Sequence, residues 1–210
     1  MKKIAILVTA FMLSAPVFAQ IIPGAGYINS TLSSGSSSDT QNGLYAGASM
    51  EMGVPSVKGL TFVPGAYLSL ITATGTTSGD FIIISGSTKS TFTEVSINVP
   101  AYFKYSIDLN GGARVFAYAG PTAQLGLFSK TNTDSQSSGL FSGKSSSVYD
   151  HYTSNTGYNR FNFYIGGGIG FGINKFSVNV GYDYGLMNVL RGVDRVANRA
   201  NLHIGISYAM

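Results

Sequence analysis

The chain has 210 residues, a formal net charge of +4, only 10% charged residues, 27 glycines, 13 tyrosines, 13 phenylalanines and no cysteine. The missing cysteine excludes a lipid-modified N-terminal Cys and a disulfide framework. No block of basic residues stands out, so no nucleic-acid partner is expected.

The chain opens with Lys2 and Lys3, a short apolar run over 4–12 and the small-residue site Val17-Phe18-Ala19. That order reads as a cleaved secretory signal over 1–19, leaving a single domain over 20–210 with a formal charge of +2. No later segment approaches the ~20 apolar residues that a spanning helix needs.

Eight strand patterns follow, roughly at 22–33, 42–54, 59–75, 88–107, 113–129, 160–173, 176–187 and 199–210. The fourth shows the principle. Val95, Ile97, Val99, Ala101, Phe103, Tyr105 and Ile107 alternate with Glu94, Ser96, Asn98, Pro100, Tyr102 and Lys104. Successive strand side chains point to opposite faces, so one face is apolar and the other mixed polar. The sixth sets Phe161, Phe163, Ile165, Ile169, Phe171 and Ile173 against Asn162, Tyr164 and glycines; the seventh and eighth repeat the scheme. The first is ambiguous, with Gly, Ile and Ser on both faces.

Connections alternate in length. Tight turns are expected at 55–58, 108–112 and 174–175, and long polar loops at 34–41, 76–87, 130–159 and 188–198. This predicts an all-β fold: an eight-stranded antiparallel up-and-down transmembrane β-barrel with short periplasmic turns and long extracellular loops. A soluble barrel also alternates, but these polar faces are poor in the Lys and Glu that solvate a soluble surface. Tyr102, Tyr105, Tyr182, Tyr184 and Tyr208 suit interfacial girdles. Pro64, Pro100 and Pro121 fall inside strands and cannot donate to a ladder, so each is expected at a β-bulge.

The run TEVSINVPAYFKYSIDLNGGARVFAYAGPTAQLGL resembles the central hairpin of the small outer-membrane β-barrel (porin-family) proteins of Bacteroidetes. The runs IGGGIGFGINKFSVNVGYDYGLMNVL and NRANLHIGISYAM are similar to that family's closing strands. The resemblance covers about 93–210. It implies an eight-stranded barrel in the Gram-negative outer membrane, partnered by outer-membrane lipid and the barrel assembly machinery. It does not imply one activity. Such barrels usually end in an aromatic residue; here Met210 follows Tyr208 by two positions.

Sites weigh lightly. GLFSGKS at 139–145 misses the phosphate-loop spacing by one residue, and the glycines at 166–172 do not fit a dinucleotide fingerprint. Asp150-His151 and His203 with Ser207 invite a hydrolase reading. His203 and Ser207, four apart on one strand face, would lie ~13 Å apart and cannot form a catalytic pair. No catalytic, metal or cofactor residues are assigned. Glu51, Lys104 and Arg114 should point inward near the periplasmic end as a lumen ion cluster, with Glu94, Asp183 and His203 inward further up. The 130–159 loop, with Leu140, Phe141, Tyr149, Tyr152 and Tyr158, is the expected contact surface for an extracellular ligand or host surface. The resulting expectation is a structural or surface-interaction barrel whose lumen is filled by side chains. The rivals are a narrow diffusion pore and a lipid-modifying enzyme.

Overall fold

The computed structural model describes residues 20–81, 84–139, 143–155, 157–192 and 194–210. The expected signal and the loop residues Leu140 and Phe141 lie outside the described residues. The strands, in chain order, are β1 (Gln20–Ser34), β2 (Ser37–Gly53), β3 (Leu60–Phe81), β4 (Ile84–Asp108), β5 (Ala113–Gly139), β6 (Gly143–Asp150), β7 (Gly157–Tyr158), β8 (Phe161–Ile173), β9 (Phe176–Gly185), β10 (Leu190–Arg191) and β11 (Asn198–Tyr208). Eight of them, β1–β2–β3–β4–β5–β8–β9–β11, pair antiparallel in that order, and β11 pairs back onto β1. The ring is closed, so none of its eight strands leaves an open edge along the wall.

Alternation decides which side chains face out. Leu44, Ile169, Phe176 and Ile206 are each more than 60% exposed on the outer wall. Ser69, Glu94, Ser96, Gln124, Asn162 and Asn201 are buried inside. This is the inverse of a soluble barrel, and a lipid solvent accounts for it. β1 looks ambiguous in sequence because Ile22 and Ile28 turn inward and are buried while Ile21 and Tyr27 face out.

The tight turns sit where the spacing puts them. Asn174, the one described non-glycine with positive φ (52°), opens the two-residue link from β8 to β9, and Gly111 and Gly112 take φ of 76° and 74° between β4 and β5. Asn tolerates the left-handed region through local hydrogen bonding, and Gly has no Cβ to clash there.

The other end differs from expectation. The stretches at 34–41 and 76–87 are largely strand, not loops: pairing of β1 with β2 runs up to Ser34↔Ser37, and that of β3 with β4 up to Phe81↔Ile84. Within 130–159, β5 continues to Gly139 and β6 folds back along it. Beyond the last β2–β3 pair, Asn42↔Thr72, strands β3–β4–β5–β6 therefore form a projecting four-stranded sheet. About half of its residues are Ser or Thr, spread over both faces, so no apolar period betrays the strands. Hydroxyl pairs such as Thr88–Ser135 (3.1 Å) and Ser90–Thr133 (3.3 Å) join them instead.

The prolines do not sit at bulges. Pro64, Pro100 and Pro121 stay in register with Ala101, Thr122 and Ile165 on one side. On the other side the pairs at Met50/Pro64, Gly65/Pro100 and Ala101/Pro121 drop out with no register shift. A missing N–H opens the ladder on one side only. The register shift lies elsewhere, between Val95 and Ser96 opposite Phe128 and Gly126. Leu127 is the extra residue, and both it and Phe128 face outward.

Candidate functional site: the barrel lumen

The inward side chains form three tiers. At the short-turn end, Lys104 of β4 reaches past β3 to form an ion pair with Glu51 of β2, and its ammonium lies 5.1 Å from the centre of the Phe116 ring. Arg114 of β5 lines the same space, but its Nη2 lies 3.3 Å from the Ser177 hydroxyl rather than pairing with Glu51. The three residues expected to cluster thus share one end of the lumen, as one ion pair with a separate guanidinium.

The middle tier centres on Asp183 of β9. Tyr102 donates to its carboxylate at 3.1 Å, and Thr122 donates to Tyr102 at 3.0 Å. His203 Nδ1 lies 3.5 Å from Asp183, and Nε2 shares a 3.0 Å hydrogen bond with Tyr118. Tyr45 packs edge-on against both Tyr67 and His203, at 5.8 and 6.2 Å between ring centres. Tyr102 is therefore a lumen residue and not part of an interfacial girdle; Tyr105, Tyr182, Tyr184 and Tyr208 face outward. Alternation puts Tyr102 on the Lys104 face, so its inward direction is legible from sequence.

The rings need room, and glycine supplies it. A Cβ on Gly168 would meet the Tyr118 hydroxyl, and one on Gly181 would meet both Tyr118 and His203. Gly26 and Gly205 lie under Tyr45, Gly47 and Gly65 lie under Tyr67, and Gly166 lies under Asp183. Glycines on β1, β2, β3, β8, β9 and β11 thus make room in a narrow barrel for Tyr45, Tyr67 and Tyr118.

In the third tier Arg199 of β11 forms a two-pronged pair with Glu94 of β4, the Nη2–Oε2 arm at 3.1 Å. Both side chains are at most 3% exposed. A neutral network runs beside the pair: Tyr164 donates to Gln124 (2.9 Å), and Gln124 donates to Ser96 and Asn98 (3.0 and 3.1 Å). Ile28, Ile71 and Phe92 pack together at this level, with Tyr158 against them. Sequence reasoning put Glu94 inside but missed its partner. Arg199 shares a strand face with Asn201 and His203, and that was the available signal.

The mouth above is covered. Tyr152 is buried and Tyr158 half-buried, stacked on His151 at 4.5 Å. Both rings leave the outer contact surface expected of them; Tyr149 is 41% exposed on β6. His151 shares a 2.8 Å hydrogen bond with Thr131, while the neighbouring Asp150 carboxylate accepts from the Tyr152 and Thr153 amides. These amide bonds hold the Asp150 carboxyl below its ordinary pKa. A hydroxyl and an imidazole meet here, but Asp150 is turned to backbone and does not orient the ring. His203 and Ser207 lie four apart on β11, as expected. Among the described residues no group of three His, Cys, Asp or Glu side chains could hold a metal ion.

With ring, lumen and apolar wall in place, residues 17–191 match the outer membrane protein beta-barrel domain. The chain belongs to that family. This sets the barrel in the outer membrane of a Gram-negative cell. No curated protein matches the chain in sequence. Among solved structures it is similar to Ail, the attachment invasion locus protein of Yersinia pestis, solved with the heparin analogue sucrose octasulfate. That likeness has 14% identity, covers 91% of this chain and 99% of Ail, and has a TM-score of 0.42. Neisserial surface protein A gives 12%, 90% and 97%, with a TM-score of 0.45. The outer membrane enzyme PagL gives 12%, 90% and 99%, with a TM-score of 0.40. At these values the likenesses are to the barrel alone.

Proposed function

We propose that this outer-membrane barrel has a structural or surface-interaction role, with a lumen plugged by its own side chains. The observation that carries the reading is the filling of the upper lumen by the buried Glu94–Arg199 pair together with packed Ile28, Ile71 and Phe92. An eight-stranded barrel is just wide enough for side chains to fill, which disfavours the diffusion pore. The Glu51–Lys104 pair, with Arg114 beside it, narrows the lower end. The enzyme reading lacks support because His151 meets the Thr131 hydroxyl with no carboxylate orienting its ring, and His203, beside Asp183, meets the Tyr118 phenol rather than a serine hydroxyl.

In this reading the signal over 1–19 is cleaved, the short turns face the periplasm, and the projecting β3–β6 sheet faces outward, where it meets an extracellular ligand or host surface. Outer-membrane lipid and the barrel assembly machinery are its envelope partners, and the resemblance over 93–210 supports a kinship with the Bacteroidetes members of the family. The deciding experiment is planar-bilayer recording of the purified, folded protein. No discrete conductance steps are expected; reproducible open-channel steps would make it a pore.

A further inference from the structure

Between the lower ion pair and the upper network the lumen keeps a cavity of about 160 Å³. That is room for several waters or one small organic molecule. Tyr45, Tyr67, Tyr102, Tyr118, Asp183 and His203 line its middle. We infer that this cavity is a binding site for a small organic ammonium ion, held against Asp183 between the lumen tyrosines. The inference goes beyond the proposed surface role and does not depend on it.

Three observations support it. First, Asp183 is 8% exposed, yet among the described residues no Lys or Arg nitrogen lies within 4 Å of its carboxylate. Its polar neighbours are the Tyr102 hydroxyl and a His203 nitrogen at 3.5 Å, well outside the 2.7–2.9 Å of a tight charge-assisted bond. A carboxylate so placed, inside a barrel wall that faces lipid, calls for a countercharge. Second, the Tyr102 hydroxyl touches that carboxylate, and Tyr118 and Tyr45 lie against His203, its other neighbour. Aromatic rings around one negative charge are the arrangement that recognises alkylammonium groups, because ring faces attract a cation without demanding directional hydrogen bonds. Third, a single carboxylate among phenols is a poor cage for a hard metal ion, which takes several oxygen ligands.

Access is from the short-turn end. Lys104, Arg114 and Glu51 also line the cavity there, while toward the other end Ile28 lines it and packs against Ile71 and Phe92. Glu51 offsets Lys104 at that entrance, and Arg114 is held beside Ser177. The net positive charge a ligand meets is thus confined to the rim, below the Asp183 level.

The test is calorimetric titration of the folded full chain in detergent with choline, with its neutral isostere 3,3-dimethylbutan-1-ol, and with acetate. The chain has no tryptophan, so tyrosine emission gives a second readout from the lumen rings. Choline is expected to bind at least about tenfold more tightly than the isostere, as a desolvated cation–π site requires. Asp183→Asn should abolish that preference, and Tyr118→Phe, which keeps the ring, should retain it. Equal binding of choline and the isostere, preference for acetate, or no binding of any probe would overturn the proposal. If Asp183→Asn fails to fold, shown by loss of heat-modifiable gel migration, the choline-to-isostere ratio of the unaltered chain decides alone.

Discussion

Glu94 and Arg199, 105 residues apart in sequence, meet across the lumen through two hydrogen bonds and are sealed from water by the surrounding strands. Removing one member of a buried pair leaves an uncompensated charge and typically costs ~3–5 kcal/mol. Arg199→Met should therefore lower the denaturant midpoint of the folded barrel markedly. Adding Glu94→Gln should restore part of the loss, because the orphaned charge goes with it. Losses that simply add would show that the two residues do not couple.

The lower lumen separates differently. Lys104→Met should destabilise by a similar ~3–5 kcal/mol, with partial recovery on adding Glu51→Gln. Arg114→Met should not couple to Glu51, since its guanidinium contacts Ser177 instead. A double-mutant cycle across all three positions checks this. Strong coupling between Arg114 and Glu51 would mean that the three act as one cluster after all.

Gly181 faces the Tyr118 hydroxyl and the His203 ring at distances that leave no space for a methyl group. Gly181→Ala should force both rings to move and cost on the order of 1–3 kcal/mol through overpacking. Gly53, with open space around it, is the matched control, and Gly53→Ala should be near neutral. Comparing unfolding midpoints of the two variants in the same detergent reads the difference. Equal midpoints would show that the ring can shift at no cost.

Side-chain alternation carries most of what the sequence reveals. The inward direction of Glu51, Glu94, Lys104, Arg114, Asp183 and His203 follows from strand parity alone, as does the outward apolar wall. Parity cannot say which inward groups meet. Glu94 and Arg199 belong to strands that are not adjacent in the ring, so no local spacing joins them, and the Glu51–Lys104 contact spans an intervening strand. The Ser- and Thr-rich extensions read as loops because polar residues occupy both of their faces, which erases the period-2 signal. Tyr152 and Tyr158 read as surface residues for a related reason: an aromatic between polar neighbours reads as exposed, and only the fold shows that these rings lie over the barrel mouth.

The projecting sheet gives a topological test. If β3–β6 extend outward from the cell, protease added to intact cells should cut first within the projecting β5–β6 pair. The ring should survive as a protected core that still shows heat-modifiable migration. Cleavage confined to 55–58 or 108–112 would place the short turns outside and invert the topology.

The lid over the mouth should loosen in mild acid. His151 lies against Tyr158, Phe92 and Tyr149, and the Tyr158 amide donates to the His151 carbonyl at 2.8 Å. Partial burial pushes the imidazole below its ordinary value of 6.5; the charges of Glu94 and Asp150 pull it up, and Arg199 pushes it down, with burial the largest influence. The folded lid therefore binds a proton less readily than the opened segment does. Its contribution to stability is present above the opened-state value of 6.5 and is lost as pH falls below it toward the depressed folded value. Hydrogen exchange at the Tyr158 amide, corrected for intrinsic rates, should show weaker protection at about pH 5 than at about pH 8. His151→Phe keeps an aromatic ring in the stack and removes the titration, so its protection should not change over the same range. If the unaltered chain shows no change, or the Phe variant shows the same change, the lid is not controlled by this histidine.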